Sequence, residues 1–185
     1  MATRQRLGMV IDPARCIHCD ACVIACKAEN AVADGHGRNR VTERETGVFP
    51  LVRVSMEPAQ CMQCDDAPCV RVCPTGASYR DAQGIVRVNP DDCIGCRYCI
   101  EACPYEARYL DERSGTADKC TFCAHRVAEG REPACVETCP TRTRVFGDLD
   151  DPMSEVARLV ASGRVEVRLP EAGTKPKVYY VRGGL

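Results

Sequence analysis

With 185 residues, 16 cysteines, three phenylalanines, six tyrosines and no tryptophan, the chain has room for one domain or two small modules but too few aromatic side chains to fill a conventional core. Its formal net charge of −1 and the lack of a basic block argue against nucleic acid as a partner. No stretch is apolar for long enough to span a membrane. The segment before Cys16 has neither the apolar h-region nor the paired arginines of a secretory signal, so attachment to a membrane is expected through another subunit.

In chain order, the first predicted element is a short strand over Met9, Val10 and Ile11, stopped by Asp12-Pro13. Proline has no N–H for a ladder, so it ends the strand and swings the chain into a loop. Cys16, Cys19, Cys22 and Cys26 follow as C-x2-C-x2-C-x3-C. Val54-Ser55-Met56 and Glu57-Pro58 lead in the same frame into Cys61, Cys64, Cys69 and Cys73. Val86-Arg87-Val88 and Asn89-Pro90 lead into Cys93, Cys96, Cys99 and Cys103, spaced as in the first run. Cys120, Cys123, Cys135 and Cys139 form the fourth run, and Pro74, Pro104 and Pro140 close three of the four. Tyr79 and Tyr109 each start a short strand after a run. A helix is expected over residues 151–163, with Asp151 as N-cap, Pro152 in the first turn and Gly163 at its end. Val156, Leu159 and Val160 would be its buried stripe.

The runs also repeat outside their cysteines. Ile17 and Ala25 of the first recur as Ile94 and Ala102 of the third, and Pro68-Cys69-Val70 with Cys73-Pro74-Thr75 recurs as Pro133-Ala134-Cys135-Val136 with Cys139-Pro140-Thr141. The fold class is therefore α+β, a duplicated βαβ-type ferredoxin unit. C-x2-C-x2-C-x3-C is the ligand run of bacterial [4Fe-4S] ferredoxins, and it points to an electron carrier. Three close cysteines can wrap three corners of a cube. The fourth, at i+4 on a short helix, lies about 5–6 Å from the third and reaches a neighbouring cluster. Clusters are thus forced into adjacent pairs. Spacing leaves the pairing open: second with third and first with fourth, or first with second and third with fourth.

Two blander readings compete. A disulfide scaffold has no need of repeated C-x2-C pairs, which bridge only with strain. Structural zinc uses C-x2-C pairs but has no use for a third cysteine followed by x3-Cys-Pro. With thiolates and oxidised cores counted, four clusters would bring the loaded chain to a charge of about −9. In so thin a core the clusters would act as staples, coupling folding to iron. Abundant arginine suits partner carboxylates or hydrogen bonding near clusters. No nucleophile–base set or phosphate loop supports catalysis by the chain itself.

From Ile11 to Tyr180 the chain resembles the four-cluster iron–sulfur subunit of dimethyl sulfoxide reductase-type molybdopterin oxidoreductases, nearest to the polysulfide, thiosulfate and tetrathionate reductase subunits. The resemblance rests on the cysteine runs, on Ala117-Asp118-Lys119-Cys120-Thr121-Phe122-Cys123 and Pro133 to Pro140, and on Phe146-Gly147-Asp148-Leu149 and Glu171-Ala172-Gly173-Thr174-Lys175-Pro176. It implies two nested ferredoxin-like modules. The outer comprises residues 1–56 and 112–150 and the inner 57–111, with a C-terminal helix and extension over 151–185. It implies clusters on Cys16, Cys19, Cys22 and Cys139; on Cys26, Cys120, Cys123 and Cys135; on Cys61, Cys64, Cys69 and Cys103; and on Cys73, Cys93, Cys96 and Cys99. Some relatives replace one ligand and carry a three-iron cluster, whereas here every ligand is present and four [4Fe-4S] clusters are expected.

The implied partners are a molybdopterin-containing catalytic subunit and an integral membrane quinone-interacting subunit. The implied location is the periplasmic side of the membrane, after export with a partner, with a cytoplasmic location as the alternative. A free polyferredoxin, or the same subunit in a formate dehydrogenase or an arsenate/arsenite oxidoreductase, are the rival functions. The long insert of the fourth run and the tail after Gly163 favour fixed partners.

This chain departs from the pattern at Lys27, which follows Cys26 where the other runs have proline. The inserts within the second and fourth runs are expected to bulge outward as docking loops. His18 and His125 are expected to be solvated, and Tyr98 to shield a cluster from water.

Overall fold

The computed structural model describes residues 5–183, so residues 1–4 of the expected outer module and residues 184–185 of the C-terminal segment lie outside the described residues. Four strand–loop–helix–strand units follow one another. The first contains β1 (Leu7–Ile11), α1 (Ala21–Asn30) and β2 (Asn39–Val48), and the second β3 (Leu51–Gln60), α2 (Pro68–Arg71) and β4 (Ser78–Arg80). The third contains β5 (Val86–Val88), α3 (Tyr98–Glu101) and β6 (Tyr109–Asp111). The fourth contains β7 (Thr116–Asp118), α4 (Ala124–Ala128), α5 (Ala134–Glu137) and β8 (Arg144–Asp148).

Among the described residues, the two strands of one unit do not pair with each other. The strand leaving each unit pairs antiparallel with the strand entering the next: β2 with β3, β4 with β5, and β6 with β7. The last closes the circle, because β8 lies antiparallel to β1 from Leu7↔Asp148 to Ile11↔Arg144. The three sequential pairs are hairpins, which need only a short turn between their strands. The helices pack across the sequence, α1 on α5 and α2 on α3.

The segment after the fourth unit joins the same sheet. β10 (Val178–Val181) runs parallel to β1 and carries β9 (Val165–Glu166) on its other edge, giving the order β8-β1-β10-β9. All five residues of β1 are buried, because both of its faces are covered. Leu7, Met9 and Ile11 join the main apolar cluster, while Val10 packs with Val156 and Val165. That is the period-two alternation of a strand between two layers. The main cluster also contains Cys61, Cys64, Cys69, Cys99, Cys120 and Cys135, so sulfur does part of the work of a core.

Two sequence expectations need correction. Helix α6 spans Glu155–Ala161 and not 151–163; Ser154 holds the N-cap position, and Asp151 instead accepts a bond from the N–H of Met153. The short polar side chain of Asp151 makes a local turn that competes with helix. Val156, Leu159 and Val160 do form the packed face, with Val156 fully buried. The second correction is β3, which runs ten residues through Pro58 instead of stopping there. In a two-stranded ribbon one edge of each strand has no neighbour, so a proline is tolerated.

Candidate metal centres

Each cysteine run begins on a loop of the same shape. The residue before the second cysteine has positive φ in all four: His18 at 52°, Gln63 at 50°, Gly95 at 67° and Phe122 at 54°. Left-handed residues in such loops turn backbone N–H groups inward, forming an anion-binding concavity. At residue 95 a side chain is also excluded by contact, because a Cβ would lie 2.5 Å from the carbonyl oxygen of Gly115.

The structure brings two groups of four sulfurs together. Cys16, Cys19, Cys22 and Cys139 line one cavity, and Cys73, Cys93, Cys96 and Cys99 line another. Cys61, Cys69 and Cys103 are the sulfur neighbours of Cys64, as Cys135 and Cys123 are of Cys26, and Cys135, Cys26 and Cys61 of Cys120. In both cavities three sulfurs come from one run and the fourth from another. Cys22 is a neighbour of Cys135 and Cys61 of Cys120, while Cys69, in α2, stands four residues before Cys73. Cys19 and Cys96 are exposed, whereas Cys26, Cys120, Cys123 and Cys135 are all buried.

The donor chemistry fits iron–sulfur clusters. All 16 cysteines are free thiols. Among the described residues no three His, Cys, Asp or Glu side chains converge on the position of a single ion. Burial pushes the Cys26 thiol up to about 12, aided by Cys135 and Cys123. Burial likewise pushes Cys64 up to about 12 against a hydrogen bond from Thr174, with Cys61, Cys69 and Cys103 adding to the rise. Cys135 is pushed up to about 11 by burial, although Arg144 opposes it. Such crowded buried thiols become thiolates only beside a strong positive charge, which an iron core would supply. Cys73 and Cys139 behave differently. Burial would raise both, yet their values fall because Thr75 and the N–H of Ser78 bond to one sulfur, and Thr141 and Thr143 to the other.

Several residues around the sulfurs were not singled out from the sequence. Arg108 donates to the Cys69 sulfur at 2.9 Å, and Arg144 lies 3.9 Å from the Cys22 sulfur. Asn30 reaches the sulfurs of Cys26 and Cys123 at 3.7 and 3.9 Å. Lys119 and Gln63 both donate to the carbonyl of Cys120, at 2.8 and 2.7 Å. A signal did exist for the arginines: Arg108 and Arg144 both stand five residues after the last cysteine of a run.

His18 and His125 are both reached by solvent, as expected, and each has a carboxylate partner, Glu43 at 2.9 Å and Glu29 at 2.7 Å. Other expectations change. Tyr98 is 61 % exposed and is absent from the lining of the cavity beside it, where Ile94 and Arg97 stand instead. As the first residue of α3, it is directed to solvent by the helix start. The inserts do not bulge freely. Asp65 and Asp66 of the second run donate their N–H groups to Lys175 and Thr174 at 2.9 and 3.0 Å, so the C-terminal segment straps that loop down. The fourth-run insert forms α4, whose Arg126 is buried against Glu29 at 2.6 Å and against Glu137.

Two overlapping stretches, residues 9–77 and residues 52–149, match family models described as a 4Fe-4S dicluster domain. Protein NrfC of Escherichia coli K12 is 49 % identical over 179 residues, covering 95 % of this chain and 80 % of that protein. A polysulfide reductase polypeptide of Wolinella succinogenes is 44 % identical over 187 residues, covering 98 % of each. The arsenate respiratory reductase iron–sulfur subunit ArrB of Shewanella sp. ANA-3 is 40 % identical over 226 residues, covering 96 % of each. With its free, clustered cysteines and this likeness along nearly its whole length, the chain belongs to the 4Fe-4S dicluster family of iron–sulfur subunits, electron-transfer chains of oxidoreductase complexes that carry no catalytic site of their own.

Proposed function

We propose that this chain holds four [4Fe-4S] clusters and relays electrons between a quinone-handling membrane subunit and a molybdopterin catalytic subunit of a respiratory reductase. The proposed ligands are the four nested sets: Cys16, Cys19, Cys22 and Cys139; Cys26, Cys120, Cys123 and Cys135; Cys61, Cys64, Cys69 and Cys103; and Cys73, Cys93, Cys96 and Cys99. Residues 1–56 with 112–150 form the outer module, 57–111 the inner, and 151–185 the extension. Bound clusters supply one-electron carriers. The protein's part is to hold them in line, keep water from the inner two and leave the ends accessible.

The observation that carries this reading is the gradient of exposure among the proposed sets. The two inner sets are largely buried, while the two end sets each have one exposed cysteine, Cys19 and Cys96. Two exposed ends and a buried middle suit a relay with one partner at each end. A fixed place in a complex, as opposed to free shuttling, is supported by the β2–β3 hairpin. Val48, Phe49 and Leu51 at its tip are 80 %, 88 % and 82 % exposed, an apolar surface suited to cover by another subunit. A sulfur compound is the favoured substrate class of the catalytic partner, as in the polysulfide and tetrathionate reductase relatives. The arsenate and selenate reductase relatives favour an oxyanion as the second reading. The periplasmic face of the membrane is the proposed location.

Iron and acid-labile sulfide assays on anaerobically purified protein are expected to give about sixteen of each per chain. A zinc-dominated preparation without broad visible absorbance sinks the proposal. Redox-poised electron paramagnetic resonance tests the ligand sets. Cys139→Ser and Cys19→Ser are expected to alter the same centre, and Cys26→Ser the one shared with Cys123. If Cys139→Ser alters the centre changed by Cys96→Ser, the nested assignment fails.

A further inference from the structure

Three buried cations have no carboxylate to pair with. Arg108 is 6 % exposed, Lys119 1 % and Arg144 2 %, and none of them forms a salt bridge among the described residues. An unpaired buried charge is costly, so its counter-charge must lie close by. Cysteine sulfur lies beside both arginines, while Lys119 donates to two backbone carbonyls, and each of the three stands between two of the proposed sets.

Arg108 Nη2 donates to the Cys69 sulfur at 2.9 Å and to Ser78 Oγ at 2.9 Å, and the N–H of Ser78 in turn donates to the Cys73 sulfur at 3.3 Å. Cys69 and Cys73 belong to the third and fourth sets. The other two nitrogens of Arg108, Nε and Nη1, are buried without any acceptor. Arg144 lies beside the Cys22 sulfur of the first set and is among the neighbours of Cys135 in the second. Its remaining short polar contact is the neutral side-chain oxygen of Gln60 at 2.5 Å. Lys119 donates to the carbonyl of Val86 and to that of Cys120 in the second set. The Cys120 oxygen also accepts from Gln63, which lies in the Cys61–Cys64 loop of the third. The two arginines occupy equivalent positions of the repeat, five residues after Cys103 and Cys139.

We propose that Arg144, Lys119 and Arg108 are the counter-cations of the three junctions in a four-cluster row, each raising the reduction potential of the two clusters on either side of it. Each is a positioning residue that acts through charge. A fixed positive charge between two anionic centres favours an arriving electron on both sides, so neighbouring potentials are held together. The unpartnered nitrogens of Arg108 point to acceptors that cluster sulfides supply. This inference rests on the four-cluster reading, which the iron count tests separately in the unmodified protein.

The test uses the iron-loaded chain, purified anaerobically, with Arg144→Gln, Lys119→Met and Arg108→Gln followed by redox-poised electron paramagnetic resonance. Each replacement is expected to make reduction of its two flanking centres about tenfold less favourable, about 59 mV for one electron, and to leave the other two unchanged. Arg144→Lys, Lys119→Arg and Arg108→Lys are expected to restore the potentials. A shift confined to one centre, or no shift at full iron content, overturns the proposal. Should a neutral variant lose iron, its charge-conserving partner decides: potentials within twofold of the original equilibria support the proposal, and displaced ones overturn it.

Discussion

After Cys73, Cys103 and Cys139 the chain turns at once, and after Cys26 it does not. In the first three places proline follows, the residue three positions on has positive φ, and its N–H bonds back to the cysteine carbonyl: Gly76 at 3.4 Å, Glu106 at 3.2 Å and Arg142 at 3.2 Å. Proline cannot continue a helix and pushes the residue before it out of helical geometry. Lys27 has neither effect, so α1 continues to Asn30, and the Lys27 ammonium binds the carbonyls of Ala33 and His36 at 3.1 and 2.8 Å. The consequence lies at the sulfurs. Two of the proline turns supply backbone donors, with the N–H groups of Ser78 and Thr143 each 3.3 Å from a sulfur. The continued helix supplies a side chain, Asn30, at longer range. One task, hydrogen bonding to cysteine sulfur, is met by backbone in one region and by side chain in the other.

The largest break in this comparison is removal of the iron. Anaerobic chelation is expected to abolish most far-ultraviolet circular dichroism, because six cysteines sit inside the main apolar cluster. The Val10, Val156 and Val165 cluster contains no cysteine, so α6 and its sheet should lose hydrogen-exchange protection last. A spectrum unchanged by chelation would show that sulfur does not substitute for a core.

Next in size is Lys27→Pro, which imposes the proline pattern on the first run. It ends α1 at least four residues early and should cost about 3 kcal/mol or more in chemical denaturation of the loaded protein. A loss below about 1 kcal/mol would mean that the region tolerates either ending.

Asn30→Ala isolates the side-chain donor. It removes bonds to the Cys26 carbonyl at 3.0 Å and from Arg38 at 2.7 Å, and should cost about 1–2 kcal/mol. The potential of one centre should also shift, that of Cys26 and Cys123. Shifts in several centres would show that Asn30 acts on the whole interior.

The smallest effect concerns Glu29, whose carboxyl is held below its ordinary value by hydrogen bonds from His125 and then Arg126. A lowered folded value means that its contribution is complete above the ordinary carboxylate range and disappears as pH falls through the folded value. Comparing melting of Glu29→Gln with the parent protein should show a small gap at pH 7 that closes below about pH 4.5. A gap that persists at lower pH would remove the ion-pair explanation.

Much of this was legible in the residues. The runs, the polar-proline turn before Cys16 and Cys93, and the Cys-Pro-Thr turns after Cys73 and Cys139 are local patterns, and each has its local structure: Asp12 accepts from the N–H of Ala14, and Asn89 from that of Asp91. Pro58 misled because the same dipeptide pattern sits in a ribbon whose outer edge needs no donors. The inserts differ from the outward loops expected of them because their restraint is distant in sequence, residues 174 and 175 for the second run and Glu29 for the fourth.

The number of thiols, their spacing and the tendency of each loop to wrap follow from the order of residues, since C-x2-C spacing and proline act through the bonds of adjacent positions. Which sulfurs face one another does not. That is set by packing, of α1 on α5 and of α2 on α3, and by the return of β8 to β1. The same holds for the cations. Apart from the five-residue spacing shared by the two arginines, Arg108 and Arg144, and the place of Lys119 just before Cys120, nothing in their flanking residues distinguishes these three from the surface arginines and lysines. They are set apart by burial without a carboxylate, a property of the folded interior, where charge must find its counter-charge in space and not along the chain.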